Sequence, residues 1–188
     1  MKALTTIAVS LLQDTMWFLE RISETSFTQP LPRFSGTTIG QQTRPVIERF
    51  QSLTNAMRAY RAGSSVVLNF ENFICYEAVE YAPRVAWAAV EDLSNRLPKY
   101  VCDGKIFLEK NKIPQKLETT FEREMLDTIE FTIHSLEAIQ LSLKITSPCL
   151  QLPDGFGKMP FIPQPVEEPV PMYPGHALHG LEAGKIAV

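Results

Sequence analysis

The chain has few side chains that could build a metal or redox centre. Its 188 residues include three cysteines and three histidines. Cys75, Cys102 and Cys149 are odd in number and far apart, so no pair has the short spacing of a zinc knuckle or a redox CxxC motif. This pattern predicts ordinary reduced thiols, which are typical of cytoplasmic proteins.

The sequence also lacks the features with which proteins bind membranes and nucleic acids. No run approaches the roughly 20 apolar residues that cross a bilayer. The apolar start, residues 3–12, has no small-residue cleavage site and continues into a helical pattern, so we interpret it as part of the first helix. The formal net charge is −3 and the arginines are scattered, which disfavours a nucleic-acid interface. We therefore expect a cytoplasmic protein that binds neither membranes nor nucleic acids.

Hydrophobic residues recur at helical spacing in four segments, which predicts an all-α four-helix bundle over residues 1–160. The predicted helices cover residues 4–23, a segment that ends before Gly63, residues 81–96 and residues 119–145. Residues 161–188 are rich in proline and are expected to form an extended tail.

The third and fourth helices have predictable buried faces. On the third, Val85, Ala89 and Leu93 are expected to face inward, and Pro98 should end the helix. The fourth has the clearest apolar stripe, which consists of Phe121, Met125, Ile129, Thr132, Leu136, Ile139 and Leu143.

The start of the second helix has two solutions in the sequence. Thr37 or Thr38 can cap a helix that then contains Pro45, where a kink is expected. Alternatively the helix begins with Pro45 in its first turn and Thr43 near the cap. Both alternatives fit the apolar pattern that follows.

A small β-hairpin is predicted before the last helix. Asp103-Gly104 is a turn signal between the short apolar segments 100–102 and 105–108.

Four segments, in order, resemble the DinB/YfiT-like family of four-helix bundles. They are TIGQQTRPVIERF at 38–50, LNFE at 68–71, TTFERE at 119–124 and LPDGFG at 152–157. The resemblance implies a four-helix bundle, and several members of the family bind a divalent metal through three histidines. Other members are thiol-dependent transferases or isomerases, and many have no assigned role.

The positions that the resemblance assigns to the metal ligands carry other residues here. They are Pro45, Phe131 and Ser135, and neighbouring family histidines fall at Gln42 and Arg49. Proline and phenylalanine have no side-chain donor, and a lone serine is a poor ligand for zinc or nickel. We therefore predict that the metal site is lost and that no cofactor is bound.

The resemblance implies a cleft whose charged groups have been replaced by apolar ones. Its predicted lining is Gln42, Pro45, Arg49, Phe70, Phe131 and Ser135. Glu71, Cys75 and Glu124 are candidate catalytic residues in this region. Each also has a simpler interpretation, since Glu124 lies at the positive end of a helix and Cys75 has no histidine nearby in sequence.

The histidines give weak metal signals. His134 shares a helix face with charged residues, which predicts a solvated surface histidine. His176 and His179 lie three residues apart in the tail and could supply replacement ligands, but no third ligand is near them in sequence.

Three functions remain open from the sequence. The first is a metal-free, degenerate DinB-like protein that binds a small apolar ligand or a protein partner, and that forms a homodimer. The second is a DinB-like enzyme, of the thiol-dependent transferase or isomerase and hydrolase type, with an altered active site. The third is a structural or interaction module in which the proline-rich tail is exchanged between the subunits of a dimer. A refilled apolar cleft favours the first function. An open cleft with a carboxylate of raised pKa, or a metal held by His176 and His179, favours the second. Residues 160–174 packed on a neighbouring chain would favour the third.

Overall fold

The computed structural model describes residues 1–71 and 77–159, and within them the chain is mainly helical. In chain order the elements are α1 (Lys2–Leu19), α2 (Glu24–Thr28), a 3-10 turn (Pro32–Phe34), α3 (Ile39–Arg61), β1 (Val67–Leu68), α4 (Ala78–Tyr81), α5 (Pro83–Tyr100), β2 (Lys105–Lys110), β3 (Ile113–Thr120) and α6 (Phe121–Thr146). The predicted mainly-α class is confirmed. The predicted tail, residues 161–188, lies outside the described residues.

Four long helices in the described part of the chain surround one hydrophobic core. Helix α1 packs against α5 and α6, and α3 packs against the same two helices. It follows that α1 and α3 lie across the core from each other, as do α5 and α6. Of the consecutive long helices, α3 and α5 are neighbours, whereas α1 and α3 are not, nor are α5 and α6. The connections at 20–38 and 101–120 therefore cross the ends of the bundle.

Helix α3 begins at Ile39 and continues through Pro45, which decides between the two predicted starts. Thr38 is its N-cap. The Thr38 side chain accepts a hydrogen bond from the Gln41 backbone N–H at 3.1 Å, and the Gln41 side chain accepts one from the Thr38 N–H at 3.1 Å. This capping box satisfies two free donors, and Pro45 removes only one backbone donor from a helix that is 23 residues long.

The buried face of α5 differs from the predicted one. Ala86, Val90, Leu93 and Leu97 are buried, whereas Val85 is 42% exposed. Leu93 was predicted correctly, and the inward position of Val85 was wrong because the buried stripe begins one residue later. Pro98 does not stop the helix at once, because α5 continues to Tyr100.

The hairpin exists, but its predicted turn was wrong. Lys110 pairs with Ile113 in the antiparallel β2–β3 ladder, so the turn is Asn111-Lys112. Asp103-Gly104 precedes β2 instead. A Cβ on Gly104 would lie 2.4 Å from the Tyr60 hydroxyl, so this glycine permits close packing rather than a hairpin turn. β1 adds a third, parallel strand beside β2.

Helix α6 matches its prediction closely. Thr120 caps it by accepting a hydrogen bond from the Arg123 N–H at 3.2 Å. All seven residues of the predicted stripe are buried. In the described part of the chain, no helix combines the length and the apolar character that crossing a bilayer requires.

Candidate functional site

A cavity of about 330 Å³ lies among α3, α6, β2 and the segment after β1. Its lining residues are Pro45, Arg49, Phe70, Glu71, Leu108, Glu109, Lys110 and Phe131. The volume is at the lower end of the ~300–1,000 Å³ that is typical of small-molecule sites. Four of the lining residues are apolar and four are charged. Among the charged residues, Glu71 and Lys110 are exposed, whereas Arg49 and Glu109 are partly buried.

Arg49 packs against two aromatic rings of this cavity. Its Cζ lies 4.6 Å from the centroid of the Phe70 ring and 4.5 Å from that of Phe131. Such cation–π contacts contribute about 0.5–2 kcal/mol each, with the larger values at desolvated sites. The contacts fix the guanidinium at the cavity wall, because both rings belong to the same lining.

The hydrogen-bonding capacity of Arg49 is only partly used. Its Nη2 donates to Asp127 Oδ2 at 2.5 Å. Its Nε is buried and has no hydrogen-bond partner in the part of the chain that the structure describes. The Arg49 side chain is 18% exposed and that of Asp127 is 55% exposed. A largely buried cation is therefore paired with a carboxylate that remains well solvated.

The residues at the predicted ligand positions do not fit a metal. Pro45 and Phe131 line the cavity without a side-chain donor, and the Ser135 hydroxyl donates to the Phe131 carbonyl at 2.9 Å. Arg49 adds a positive charge beside Pro45 and Phe131. Within residues 1–71 and 77–159, no group of three or more His, Cys, Asp or Glu side chains could hold a metal ion. A transition metal requires such donors.

The structure brings together most of the predicted cleft residues. Pro45, Arg49, Phe70 and Phe131 line the cavity, but Gln42 and Ser135 are not among its lining residues. Gln42 instead donates from Nε2 to the Ser142 hydroxyl at 3.1 Å, which joins α3 to α6. Its role is thus a structural one between two helices.

The candidate catalytic residues are not assembled into one group. Glu71 lines the cavity, and its Oε2 accepts a hydrogen bond from the Asn111 backbone N–H at 2.7 Å. Glu124 is buried and accepts a hydrogen bond from the Thr119 hydroxyl at 2.6 Å, but it is not a lining residue. Cys75 lies outside the described residues.

The structure places His134 at the surface. Its side chain is 79% exposed, and Nδ1 lies 3.6 Å from Glu137 Oε2, which confirms the surface interpretation. His176 and His179 lie outside the described residues, so the predicted replacement ligands stay a prediction.

A second polar cluster adjoins the first turns of α3. Arg44 forms ion pairs with Glu48, at 3.1 Å between Nε and Oε1, and with Glu80 through Nη1. Both glutamates are buried. Burial raises the pKa of Glu48 above that of an ordinary glutamate, Arg44 opposes this shift and Glu80 adds to it. The cluster holds α4 against α3 through one cation and two carboxylates.

Three residues that line the cavity were not predicted from the sequence, namely Leu108, Glu109 and Lys110. The misplaced hairpin turn explains the omission, since a turn at Asp103-Gly104 leaves the outer end of β2 without a defined position. Asn111-Lys112 between two β-prone segments was the signal that would have found it.

The chain matches no protein-family model, no curated protein and no solved structure. The fold class and the cavity therefore rest on the structure itself. The similarity to DinB-like proteins rests on the four sequence segments and stays a prediction.

Proposed function

We propose that this chain is a metal-free, DinB-like bundle that binds a small apolar ligand in the cavity lined by Arg49. The observation that carries the proposal is the apolar wall formed by Pro45, Phe70, Leu108 and Phe131 around a volume of about 330 Å³. Burying apolar ligand surface against such a wall contributes about 25 cal/mol for each Å² removed from water.

The metal-free part of the proposal is supported by the lining itself. Pro45 and Phe131 offer no side-chain donor, and the cation of Arg49 stands beside them. A divalent ion next to a largely buried guanidinium would be destabilised by repulsion of like charges in a medium of low dielectric constant. A hydrophobic ligand carries no such cost.

The alternative of an enzyme has less support. Of the candidate residues, Glu71 reaches the cavity, and its carboxylate already accepts a hydrogen bond from the hairpin turn at Asn111. Glu124 is engaged with Thr119. A general base must lie within hydrogen-bond reach of its substrate with a second group to orient it, and the described lining brings no such pair together. The expected homodimer and protein partner stay predictions.

The proposal is tested by titrating the full chain with the neutral fluorophore N-phenyl-1-naphthylamine. We expect saturable binding that Leu108→Trp weakens by at least about tenfold, because the indole fills the cavity and a tenfold loss corresponds to about 1.4 kcal/mol. The matched control is Phe107→Trp, which places the same side chain on the opposite face of β2, where Phe107 is 44% exposed. Absence of binding to the parent chain, or equal binding by both variants, contradicts the proposal.

The metal content of the purified chain tests the metal-free part of the proposed function. The purified untagged chain, measured by inductively coupled plasma mass spectrometry with parallel nickel and zinc titrations, should contain no stoichiometric metal and bind neither ion tightly. A stoichiometric, tightly held transition metal would overturn the metal-free assignment. Variants of His134, His176 and His179 would then identify the ligands.

A further inference from the structure

The cavity combines apolar lining residues with the largely buried cation of Arg49, which suggests more than a preference for apolar ligands. Arg49 reaches its wall with the side chain 18% exposed. A guanidinium cannot lose its proton at physiological pH, so the charge is permanent. Any ligand that fills the cavity is therefore placed against a fixed cation as well as against hydrocarbon.

We infer that the ligand is an amphipathic monoanion, a small carboxylate with an apolar or aromatic body, whose carboxylate binds Arg49. This inference rests on the proposed function, because it assigns the ligand class of the same cavity. The body of the ligand packs between Pro45, Leu108 and the two phenylalanine rings, while its head meets the edge of the guanidinium.

The contacts of Arg49 favour an anion at its edge. The rings of Phe70 and Phe131 contact the guanidinium, at 4.6 and 4.5 Å between Cζ and the ring centroids, and offer it no conventional hydrogen-bond acceptor. The N–H groups of a guanidinium lie in its plane, and at this edge Nη2 donates to Asp127 while Nε has no partner among the described residues. Carboxylates match this edge geometry, since they accept parallel hydrogen bonds from arginine.

Asp127 is a replaceable partner rather than a permanent one. Its side chain is 55% exposed, so it regains solvation readily when another carboxylate takes its place. Ion pairs with such exposed groups contribute little, about 0–1 kcal/mol. A ligand carboxylate that enters with an apolar body gains burial in addition to the same charge pair.

The other charges around the cavity do not reverse this preference. Glu71 is exposed and accepts a hydrogen bond from Asn111, and Lys110 is exposed on the hairpin beside Glu109. Water and salt screen the exposed Glu71 and Lys110, whereas Glu109 is partly buried. Arg49 is a largely buried cation, so an anion bound to it is screened less than one bound to the exposed Lys110.

The test compares 4-phenylbutyrate with 4-phenylbutan-1-ol and 4-phenylbutylamine by isothermal titration calorimetry on the full chain. These probes share one apolar body and differ in the charge of the head. We expect the carboxylate to bind roughly tenfold more tightly than the alcohol, as hydrogen bonds to a charged group imply. The amine should bind most weakly. Equal affinities for the carboxylate and the alcohol would overturn the inference.

Two variants move the carboxylate preference in opposite directions. Arg49→Gln should reduce the carboxylate-to-alcohol affinity ratio to about one. Asp127→Asn should raise carboxylate affinity by roughly two- to fivefold, because it removes the negative charge that competes with the ligand for Arg49. Asp92→Asn is the matched control, since Asp92 forms a comparable exposed pair with Arg96 at 2.7 Å on α5. It should leave the ratio unchanged. If Arg49→Gln does not fold, the Asp127→Asn result decides alone.

The outcomes separate this inference from the proposed function. Binding of the neutral fluorophore together with no preference for the carboxylate refutes the monoanion and leaves the apolar site standing. Loss of fluorophore binding in the parent chain refutes the proposed function itself. A preference that persists in Arg49→Gln assigns the anion to another group and also overturns the inference.

Discussion

Gly40 offers a direct test of how closely α4 approaches α3. It is buried in the first turn of α3, where the backbone of Glu80 crosses it. A Cβ at this position would lie 1.9 Å from the Glu80 carbonyl oxygen, 2.7 Å from the Glu80 carbonyl carbon and 2.9 Å from Phe27 Cε1. Because two of these atoms belong to the backbone, a side-chain rotation cannot relieve the clash. Gly40→Ala must therefore displace α4 or the start of α3.

Two opposing contributions determine how much Gly40→Ala changes the free energy of unfolding. Overpacking of a buried site costs about 1–3 kcal/mol, and backbone contacts place this case near the upper end. Replacing glycine by alanine in a helix returns at most about 1 kcal/mol. We expect a net loss of about 2 kcal/mol in the free energy of unfolding, which lowers Tm by roughly 4–8 °C in a chain of this size.

Urea denaturation followed by circular dichroism measures this change. Ala88→Gly on the exposed side of α5 is the control, because it reports the helix-propensity term alone and should cost about 1 kcal/mol. A Gly40→Ala chain at least as stable as the parent, with Ala88→Gly behaving as expected, would refute the close approach of α4 to α3.

Two further changes test the elements around α3. The raised pKa of Glu48 means that the folded state binds its proton more tightly, so stability falls as pH rises from the ordinary glutamate range through the raised value. Glu48→Gln removes this pH dependence, while Glu80 remains as a partner for Arg44. The midpoints of urea unfolding at pH 5 and pH 7 should therefore differ less in the variant than in the parent chain. An equal difference in both chains contradicts the raised pKa of Glu48. Thr38→Ala should cost about 1 kcal/mol in thermal denaturation by breaking the capping box with Gln41, whereas an equal loss in Thr37→Ala would argue against that box.

The helices with regular local patterns were predictable because their signals lie within single segments. The stripe of α6 repeats every three or four residues from Phe121 to Leu143, and all of its members are buried. Thr120 supplied a recognisable cap as well. Periodicity and capping depend on residues within a few positions, so no knowledge of the rest of the fold was needed.

Elements that depend on distant partners were predicted less well. The sequence alone allowed α3 to begin at either side of Pro45, and the reciprocal bonds of Thr38 and Gln41 decided for the earlier start. Asp103-Gly104 carried a strong local turn signal, but Tyr60 packs over Gly104, and the hairpin turns at Asn111-Lys112. A glycine that serves close packing and one that serves a turn look the same in sequence.

The candidate site, too, was only partly predictable from the sequence. The sequence predicted that the positions which the resemblance assigns to the metal ligands, Pro45, Phe131 and Ser135, would not hold a metal, because ligand chemistry is a property of each side chain. The tertiary structure decided that Arg49 stacks on Phe70 and Phe131 and that the outer end of β2 completes the cavity. Those contacts join residues far apart in the chain, and only the packing of α3, α6 and the hairpin determines which of them meet.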